Sequence, residues 1–178
     1  NGRVVQIEIG YNCQNISTVP ESIGNLDALT RLEFNYQPIT SLPSSIGNLS
    51  NIDRIYVMNS NLTSVPESMG NLSNLTTLNL EGGALTSLPT SVYYLTNLEY
   101  LHIGQNQFTT IPESIWNLIN LQYLYAWGNQ LTSLPSTLCD LPEGCYLSLD
   151  SNNLCEEYHF DCIDDWGEWG TQDQSNCQ

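Results

Sequence analysis

Apolar residues recur along this chain at a constant interval, and polar residues fill the positions between them. Six prolines mark the period, because the interval from Pro20 to Pro43 is repeated at Pro66, Pro89, Pro112 and Pro135. Within each period the apolar residues follow an L-x-x-L-x-L arrangement, as at Leu75, Leu78 and Leu80. Self-similarity at a fixed period, here the interval between these prolines, indicates an array of stacked structural units.

The L-x-L alternation predicts a short strand in every unit, with one face buried. Seven strands are expected, near residues 7–11, 31–34, 54–57, 77–80, 100–103, 123–126 and 146–149. Stacking the units pairs these strands into one parallel sheet. The Pro-x-Ser-Ile-Gly segment then turns the chain back along the opposite side.

The consensus of the unit is L-x-x-L-x-L-x-x-N-x-L-T-S-L-P-x-S-I-G-N-L-x-N, which resembles the leucine-rich repeat. The segments SLPSSIGNLSNI and SVPESMGNLSNL are similar to those of plant intracellular Ras-group leucine-rich repeat proteins and their bacterial and protist relatives. The resemblance covers roughly residues 4–154. It implies an α/β solenoid: a right-handed superhelix with one parallel sheet of about seven strands on the concave side and short 3-10 turns on the convex side.

Asparagines follow the strands of the C-terminal half, at Asn106, Asn129 and Asn152. In this repeat, a buried asparagine at that position satisfies backbone groups of the loops. Other residues stand there in the N-terminal half, namely Gln37, Ser60 and Gly83. The sequence therefore predicts that the asparagine ladder is interrupted in the N-terminal half.

The repeat ends after Leu154, and residues 155–178 contain three cysteines and two tryptophans. A solenoid needs atypical units at its ends, so we expect a single domain with a solenoid at 1–154 and a cap at 155–178. The cap resembles that of secreted leucine-rich repeat proteins. At the other end, either a cap precedes the first strand in a longer protein or that strand is simply exposed.

Five cysteines near the C-terminus are disulfide candidates: Cys139, Cys145, Cys155, Cys162 and Cys177. We expect two disulfides among them, with connectivity open and one cysteine unpaired or paired between chains. Cys13 lies about six coils away, which is beyond the reach of a disulfide. Zinc is the weaker alternative, because no C-x₂-C pair is present.

Disulfides together with N-x-S/T sequons predict an extracellular protein, either secreted or the outer part of a surface receptor. The candidate glycosylation sites are Asn15, Asn48, Asn61, Asn71 and Asn74. The alternative is that a repeat rich in Asn, Ser and Thr creates sequons by composition alone.

The chain contains three arginines and no lysine, and its formal net charge is -16. This balance argues against nucleic acid as a partner, because phosphate binding requires clustered basic residues. It also argues against docking on anionic membranes, and no apolar run is long enough for membrane insertion. Ten of the 19 acidic residues lie from Asp140 onward, so the acidity belongs mostly to the C-terminal end.

The strand positions between the leucines are expected to face the concave side, where aromatic residues concentrate on the last strands. The predicted ligand-binding residues are Tyr56, Tyr100, His102, Tyr123, Tyr125, Trp127 and Tyr146, and the predicted rim is Arg31, Arg54, Glu33 and Glu81. Exposed Tyr and Trp commonly anchor partners. The alternative is a cross-strand aromatic ladder that only stabilises the sheet.

These patterns predict a non-enzymatic module that binds a protein or peptide through its concave face; a glycan is the alternative ligand, because aromatic rings also suit sugars. His102 and His159 are the only histidines, and no nucleophile motif accompanies them. We therefore predict no catalytic residue and no cofactor. The acidic C-terminal run lacks the alternation of an EF-hand loop, so no metal site is predicted. Oligomeric state stays open.

A third function is suggested by a column of hydroxyl side chains. Its members occur once in each period: Ser17, Thr40, Thr63, Thr86, Thr109 and Thr132. Such an array resembles the flat faces of ice-binding solenoids. The alternative is that the hydroxyls only cap turns and shield backbone groups.

Overall fold

The computed structural model describes residues 3–10, 15–155, 158 and 160–164. Within these residues, seven parallel strands form one open sheet in chain order. The strands are Gln6–Ile9 (β1), Arg31–Phe34 (β2), Arg54–Tyr56 (β3), Thr77–Asn79 (β4), Tyr100–His102 (β5), Tyr123–Tyr125 (β6) and Tyr146–Ser148 (β7). The predicted solenoid is confirmed, with β1 beginning one residue earlier than expected.

Equivalent residues of successive coils pair directly across the sheet. Arg31 pairs with Arg54, which lies one period later in the sequence. Gln6 pairs with Arg31, and this interval exceeds the period. The first coil is therefore longer than the coil that follows it. Every column of the repeat becomes a straight row of side chains across the strands.

Short 3-10 segments return the chain along the side opposite the sheet. In the described residues these are Glu21–Asn25, Ser44–Asn48, Glu67–Asn71, Thr90–Tyr94, Glu113–Asn117 and Leu138–Asp140. A proline with extended backbone precedes the second of them, with φ -71 and ψ 154 at Pro43. Its fixed φ and missing N–H suit the entrance of a turn. Gly47 allows close stacking there, since a Cβ at this position would overlap the carbonyl of Ser68.

The leucine columns form one continuous core between the sheet and the turns. Leu75, Leu98 and Leu121 are fully buried, as are Leu78, Leu101 and Leu124 of the strands. Full burial of such a side chain contributes about 1.5–3 kcal/mol. Because each coil contacts mainly its neighbours, the stability of the array accumulates from coil to coil.

A buried asparagine ladder ties the loops after the strands together. The side-chain amide of Asn129 donates to the carbonyls of Ala126 and Ile103 at 2.9 and 3.0 Å, and its Oδ1 accepts from the amide of Phe108 at 3.0 Å. Asn106 and Asn152 repeat this arrangement. Each residue thus satisfies backbone groups of two adjacent coils.

The predicted interruption of the ladder is wrong at Gln37. Its Oε1 accepts from the amide of Ile16 at 3.0 Å, and its Nε2 donates to the carbonyl of Gly10 at 3.1 Å. The longer side chain therefore performs the task of the asparagine. Among the described coils the interruption is confined to Ser60 and Gly83, and there the amide of Leu62 donates to Ser60 Oγ instead.

A second asparagine ladder, which was not among the expectations from the sequence, runs along the exposed edge of the coils. Its members donate from Nδ2 to a carbonyl 24 residues earlier, at 2.6–2.8 Å: Asn51, Asn74, Asn97 and Asn120. The last N of the repeat consensus is its sequence signal.

A disulfide between Cys139 and Cys162 joins the last turn of the solenoid to the segment that follows the repeats. Cys145 is a buried free thiol, and burial raises its pKa to about 12. Cys155 is also disulfide-bonded. Cys13 and Cys177, and the cap tryptophans Trp166 and Trp169, lie outside the described residues.

The two asparagine ladders differ in burial, and this predicts different costs for the same substitution. Replacing Asn129 with alanine leaves buried backbone groups without partners, so we expect a loss of about 2–4 kcal/mol in the free energy of unfolding. Asn97→Ala, on the exposed ladder, should cost about 1 kcal/mol or less, because water replaces its hydrogen bond. Chemical denaturation of both variants measures the difference, and equal costs would contradict the role of the buried ladder.

Candidate functional site

Six aromatic side chains of the last three coils lie together on the concave face, and we refer to them as the aromatic cluster. They are Tyr100, His102, Tyr123, Tyr125, Trp127 and Tyr146. Direct strand pairing aligns Tyr100 with Tyr123 and Tyr123 with Tyr146, while His102 aligns with Tyr125. Side chains two residues apart on a strand share a face, so these two rows lie on the same side of the sheet.

The rings of the aromatic cluster form one contiguous set of contacts. His102 stacks on Tyr125, with ring centroids 5.0 Å apart and an interplanar angle of 17°. Tyr125 also contacts Tyr100 at 5.4 Å and Tyr146 at 5.6 Å. These separations lie in the range in which aromatic pairs stabilise one another. The cluster is therefore a preorganised surface.

Much of this surface is accessible to a partner. Tyr123 is 43% exposed, and Tyr100, Tyr125, Trp127 and Tyr146 are half-buried. His102 is only 7% exposed and contacts the rings of Tyr125 and Trp127. The cluster thus combines one buried ring with tyrosine and tryptophan side chains that are exposed or half-buried.

His102 is a neutral imidazole beside Glu81. Burial lowers its pKa to about 4, so the ring is uncharged at neutral pH. The Nδ1 atom accepts from the amide of Gly104 at 3.3 Å, which leaves the hydrogen on Nε2. Nε2 lies 3.8 Å from Oε2 of Glu81.

Gly104 makes room for the ring of Trp127. A Cβ at Gly104 would lie 2.9 Å from Cε1 of His102 and 3.1 Å from Nε1 of Trp127. The indole meets His102 edge to face, with centroids 6.1 Å apart at 77°. Because Gly104 has no side chain, the ring of Trp127 from the next coil occupies this space. The repeat pattern by itself does not indicate this role of Gly104.

Ion pairs dominate the N-terminal part of the same face. Arg31 lies 2.7 Å from Glu33 and 3.3 Å from Glu8, and its guanidinium carbon is 4.8 Å from the ring centre of Tyr56. Tyr56, one of the predicted ligand-binding residues, therefore contacts Arg31. Arg54 lies 3.7 Å from Asp53 on the exposed surface.

Cavities occur at the two ends of the described sheet. An apolar one of about 230 Å³ is lined by Ile7, Ile9, Ile23 and Phe34 near β1. One of about 410 Å³ lies beside the Cys139–Cys162 disulfide at the other end. The aromatic cluster is an open surface, which suits an extended or folded partner better than a small molecule.

The described residues contain no group of three or more His, Cys, Asp or Glu side chains arranged to hold a metal ion. Nor does any helix within them have the length and apolarity required to cross a bilayer. His159 lies outside the described residues.

The sequon asparagines Asn15, Asn48, Asn61, Asn71 and Asn74 are all exposed. Asn74 differs in that its Nδ2 donates to the carbonyl of Ser50 at 2.7 Å, as a member of the exposed ladder. Glycosylation of these residues stays a prediction, and Asn74 suits it least because its amide is already bonded.

The contact between Gly104 and the two rings is testable by adding one methyl group. Gly104→Ala should displace Trp127 and His102, change the near-UV circular dichroism and cost about 1–3 kcal/mol of unfolding free energy. Gly10 stands in the same column, and a Cβ there meets nothing within 4 Å. Gly10→Ala should therefore leave the spectrum unchanged. Identical spectra for both variants would show that the glycine does not position the tryptophan.

The sequence matches the family described as "Leucine rich repeat" over residues 73–131. No curated protein sequence matches the chain. Among solved structures, a leucine-rich repeat protein of Leptospira interrogans is 31% identical, with a TM-score of 0.76 over 79% of this chain and 36% of its own. The plant peptide hormone receptor RGFR1 in complex with RGF2 is 26% identical, with a TM-score of 0.72 over 84% of this chain and 25% of its own.

A plant ice-binding protein is 27% identical, with a TM-score of 0.69 over 85% of this chain and 49% of its own. The chain spans less than half the length of each of these three proteins. The repeat pattern, the parallel sheet with its 3-10 turns and these similarities agree, and the chain has the fold of a leucine-rich repeat solenoid.

Proposed function

We propose that this chain is a non-enzymatic, extracellular recognition module that binds a protein or peptide through its concave face. The observation that carries the proposal is the aromatic cluster, whose rings contact one another and whose tyrosine and tryptophan side chains are exposed or half-buried. Tyrosine and tryptophan provide large contact areas with little loss of side-chain entropy on binding. The ring contacts alone would stabilise the sheet, but they do not require this degree of exposure.

The similarity to RGFR1 supports a peptide or protein as the ligand, because that receptor was solved in complex with RGF2. Leucine-rich repeat proteins are generally non-enzymatic. The disulfide between Cys139 and Cys162 supports an oxidising compartment, hence an extracellular location.

A direct test uses a phage-displayed library of random peptides selected on the immobilised protein. Peptides that bind the aromatic cluster should lose at least about tenfold in affinity for the double variant Tyr123→Ala, Trp127→Ala, because truncating buried anchor rings removes most of their contact. Surface plasmon resonance measures the loss, and thermal unfolding of the double variant verifies that the fold is intact.

The matched control removes the same two residue types from the convex turns. Tyr94 and Trp116 are 61% and 50% exposed there, so Tyr94→Ala with Trp116→Ala should leave binding unchanged. Equal losses of peptide affinity in both double variants would exclude the aromatic cluster as the site. Unchanged peptide affinity for the variant Tyr123→Ala, Trp127→Ala would exclude it as well. Glycan-array binding that depends on Tyr123 and Trp127, without peptide binding, would favour a sugar ligand.

Ice binding is the second candidate, and it is favoured by the exposure of the hydroxyl column. Ser17, Thr40, Thr63, Thr86, Thr109 and Thr132 are all exposed on one edge of the solenoid. Neighbouring members are held in register by backbone contacts, for example the amide of Thr63 donating to the carbonyl of Thr40 at 3.1 Å. A structurally similar plant protein binds ice.

If this column binds ice, the protein should shape growing ice crystals and slow their recrystallisation. Thr63→Tyr with Thr86→Tyr should abolish both effects, because the bulky rings break the flat array. Tyr123→Ala with Trp127→Ala should retain them, since it changes the other face. Round crystals like those in buffer, observed by cryomicroscopy with the unmodified protein, would exclude this function.

A further inference from the structure

Glu81 differs from the carboxylates around the N-terminal strands in having no arginine beside it. The three arginines of the chain are each engaged elsewhere: Arg3 lies 3.6 Å from Asp27, Arg31 pairs with Glu33 and Glu8, and Arg54 pairs with Asp53. The basic group that the structure places near Glu81 is His102, whose imidazole is neutral at pH 7. Within the part of the chain that the structure describes, no positive charge therefore compensates that of Glu81.

Glu81 is also partly removed from water. Its side chain is 24% exposed, and burial raises its pKa above the ordinary value. A carboxylate in this position is stabilised by a neighbouring positive charge. Its charge further disfavours ionisation of Tyr100, whose pKa is raised to about 12, first by burial and then by nearby groups. Glu81 thus lies at the edge of the aromatic cluster and influences its electrostatics.

The N-terminal part of the same face shows how this surface holds a cation. The guanidinium of Arg31 binds Glu33 at 2.7 Å and lies over the ring of Tyr56 at 4.8 Å. A carboxylate and a tyrosine ring together form this site. The C-terminal part presents Glu81 beside Tyr100 and the His102–Tyr125 stack, with the same two kinds of group and no arginine of the chain.

Asp150 adds a second negative charge on the opposite side of the aromatic cluster. It follows β7, and its oxygens accept from the hydroxyls of Ser148 and Ser151 at 3.2 Å each. Glu81 follows β4, so about three strand spacings, roughly 14 Å, separate the two acidic residues. The aromatic rings therefore lie between two carboxylates, which repel an acidic ligand and attract a basic one.

We propose that the partner of this module is a peptide segment carrying an arginine side chain, whose guanidinium pairs with Glu81 and lies over the rings of the aromatic cluster. This inference rests on the proposed peptide-binding function and specifies its ligand. Arginine suits the site better than lysine, because its planar, weakly hydrated group both stacks on aromatic rings and binds a carboxylate.

The experiment uses N-acetylargininamide as the probe and the indole N–H signal of Trp127 as the reporter. The signal is assigned by its absence from the NMR spectrum of Trp127→Phe. Titration of the unmodified protein should shift the signal saturably. N-acetylcitrullinamide, which has nearly the same shape and no charge, should bind at least about tenfold more weakly, because it loses both the ion pair and the cation–π contact.

Glu81→Gln should weaken binding of N-acetylargininamide by about tenfold, because the glutamine keeps the size of the side chain and removes its charge. Glu99→Gln is the matched control: it changes the net charge equally, but Glu99 lies on the exposed lateral edge beside Asn97 and Asn120. It should leave the titration unchanged. Circular dichroism confirms the fold of both variants.

No saturable shift with the arginine probe, equal binding of the citrulline probe, or an unchanged titration of Glu81→Gln would overturn the inference. The library selection distinguishes failure of this inference from failure of the proposed peptide-binding function. Selected peptides that depend on Tyr123 and Trp127 but tolerate replacement of every arginine by citrulline would refute the arginine preference and leave the peptide-binding function intact. Saturable binding of N-acetylargininamide without any selected peptide would support the arginine site and refute the peptide-binding function.

Discussion

Parallel pairing of equivalent residues in successive coils is the constraint on which the rest of this structure depends. A strand pair in this sheet is stable only if each coil places its leucines into the core and its neighbour does the same one period later. The backbone groups of the loops must also find partners at the same spacing. The two asparagine ladders meet this requirement, one in the buried loops and one along the exposed edge. Gln37 makes the equivalent bonds with its longer side chain, and at Ser60, where the ladder is interrupted, the hydroxyl accepts locally from the amide of Leu62.

The same pairing creates the candidate site. Because the register does not drift between coils, residues from three strands align into rows without any long-range arrangement of loops. Tyr100, Tyr123 and Tyr146 contact one another for this reason. The face changes character along the solenoid, from ion pairs around Arg31 to rings around Tyr125. One backbone thus presents two chemically different surfaces, which is consistent with the varied partners of repeat scaffolds.

Much of the site could be predicted from the sequence, because the residues of one column of a strict repeat form one row across the strands of the sheet. The tyrosine rows follow directly from counting in whole periods. Counting periods does not reveal which side chains interact through their charges or pack against one another. The position of Tyr56 under Arg31, the uncompensated charge of Glu81 and the place that Gly104 leaves for Trp127 depend on rotamers and on distances between coils.

The sequence by itself determined the solenoid, the number and register of its strands, and the residues that face the concave side. Periodicity carries this information, because each coil repeats the local conditions of the last one. Only the tertiary structure decided which cysteine pairs with Cys139, that Gln37 continues the buried ladder, and that His102 is a neutral neighbour of Glu81. These outcomes depend on burial and on the reach of individual side chains between coils, and a repeating pattern specifies neither.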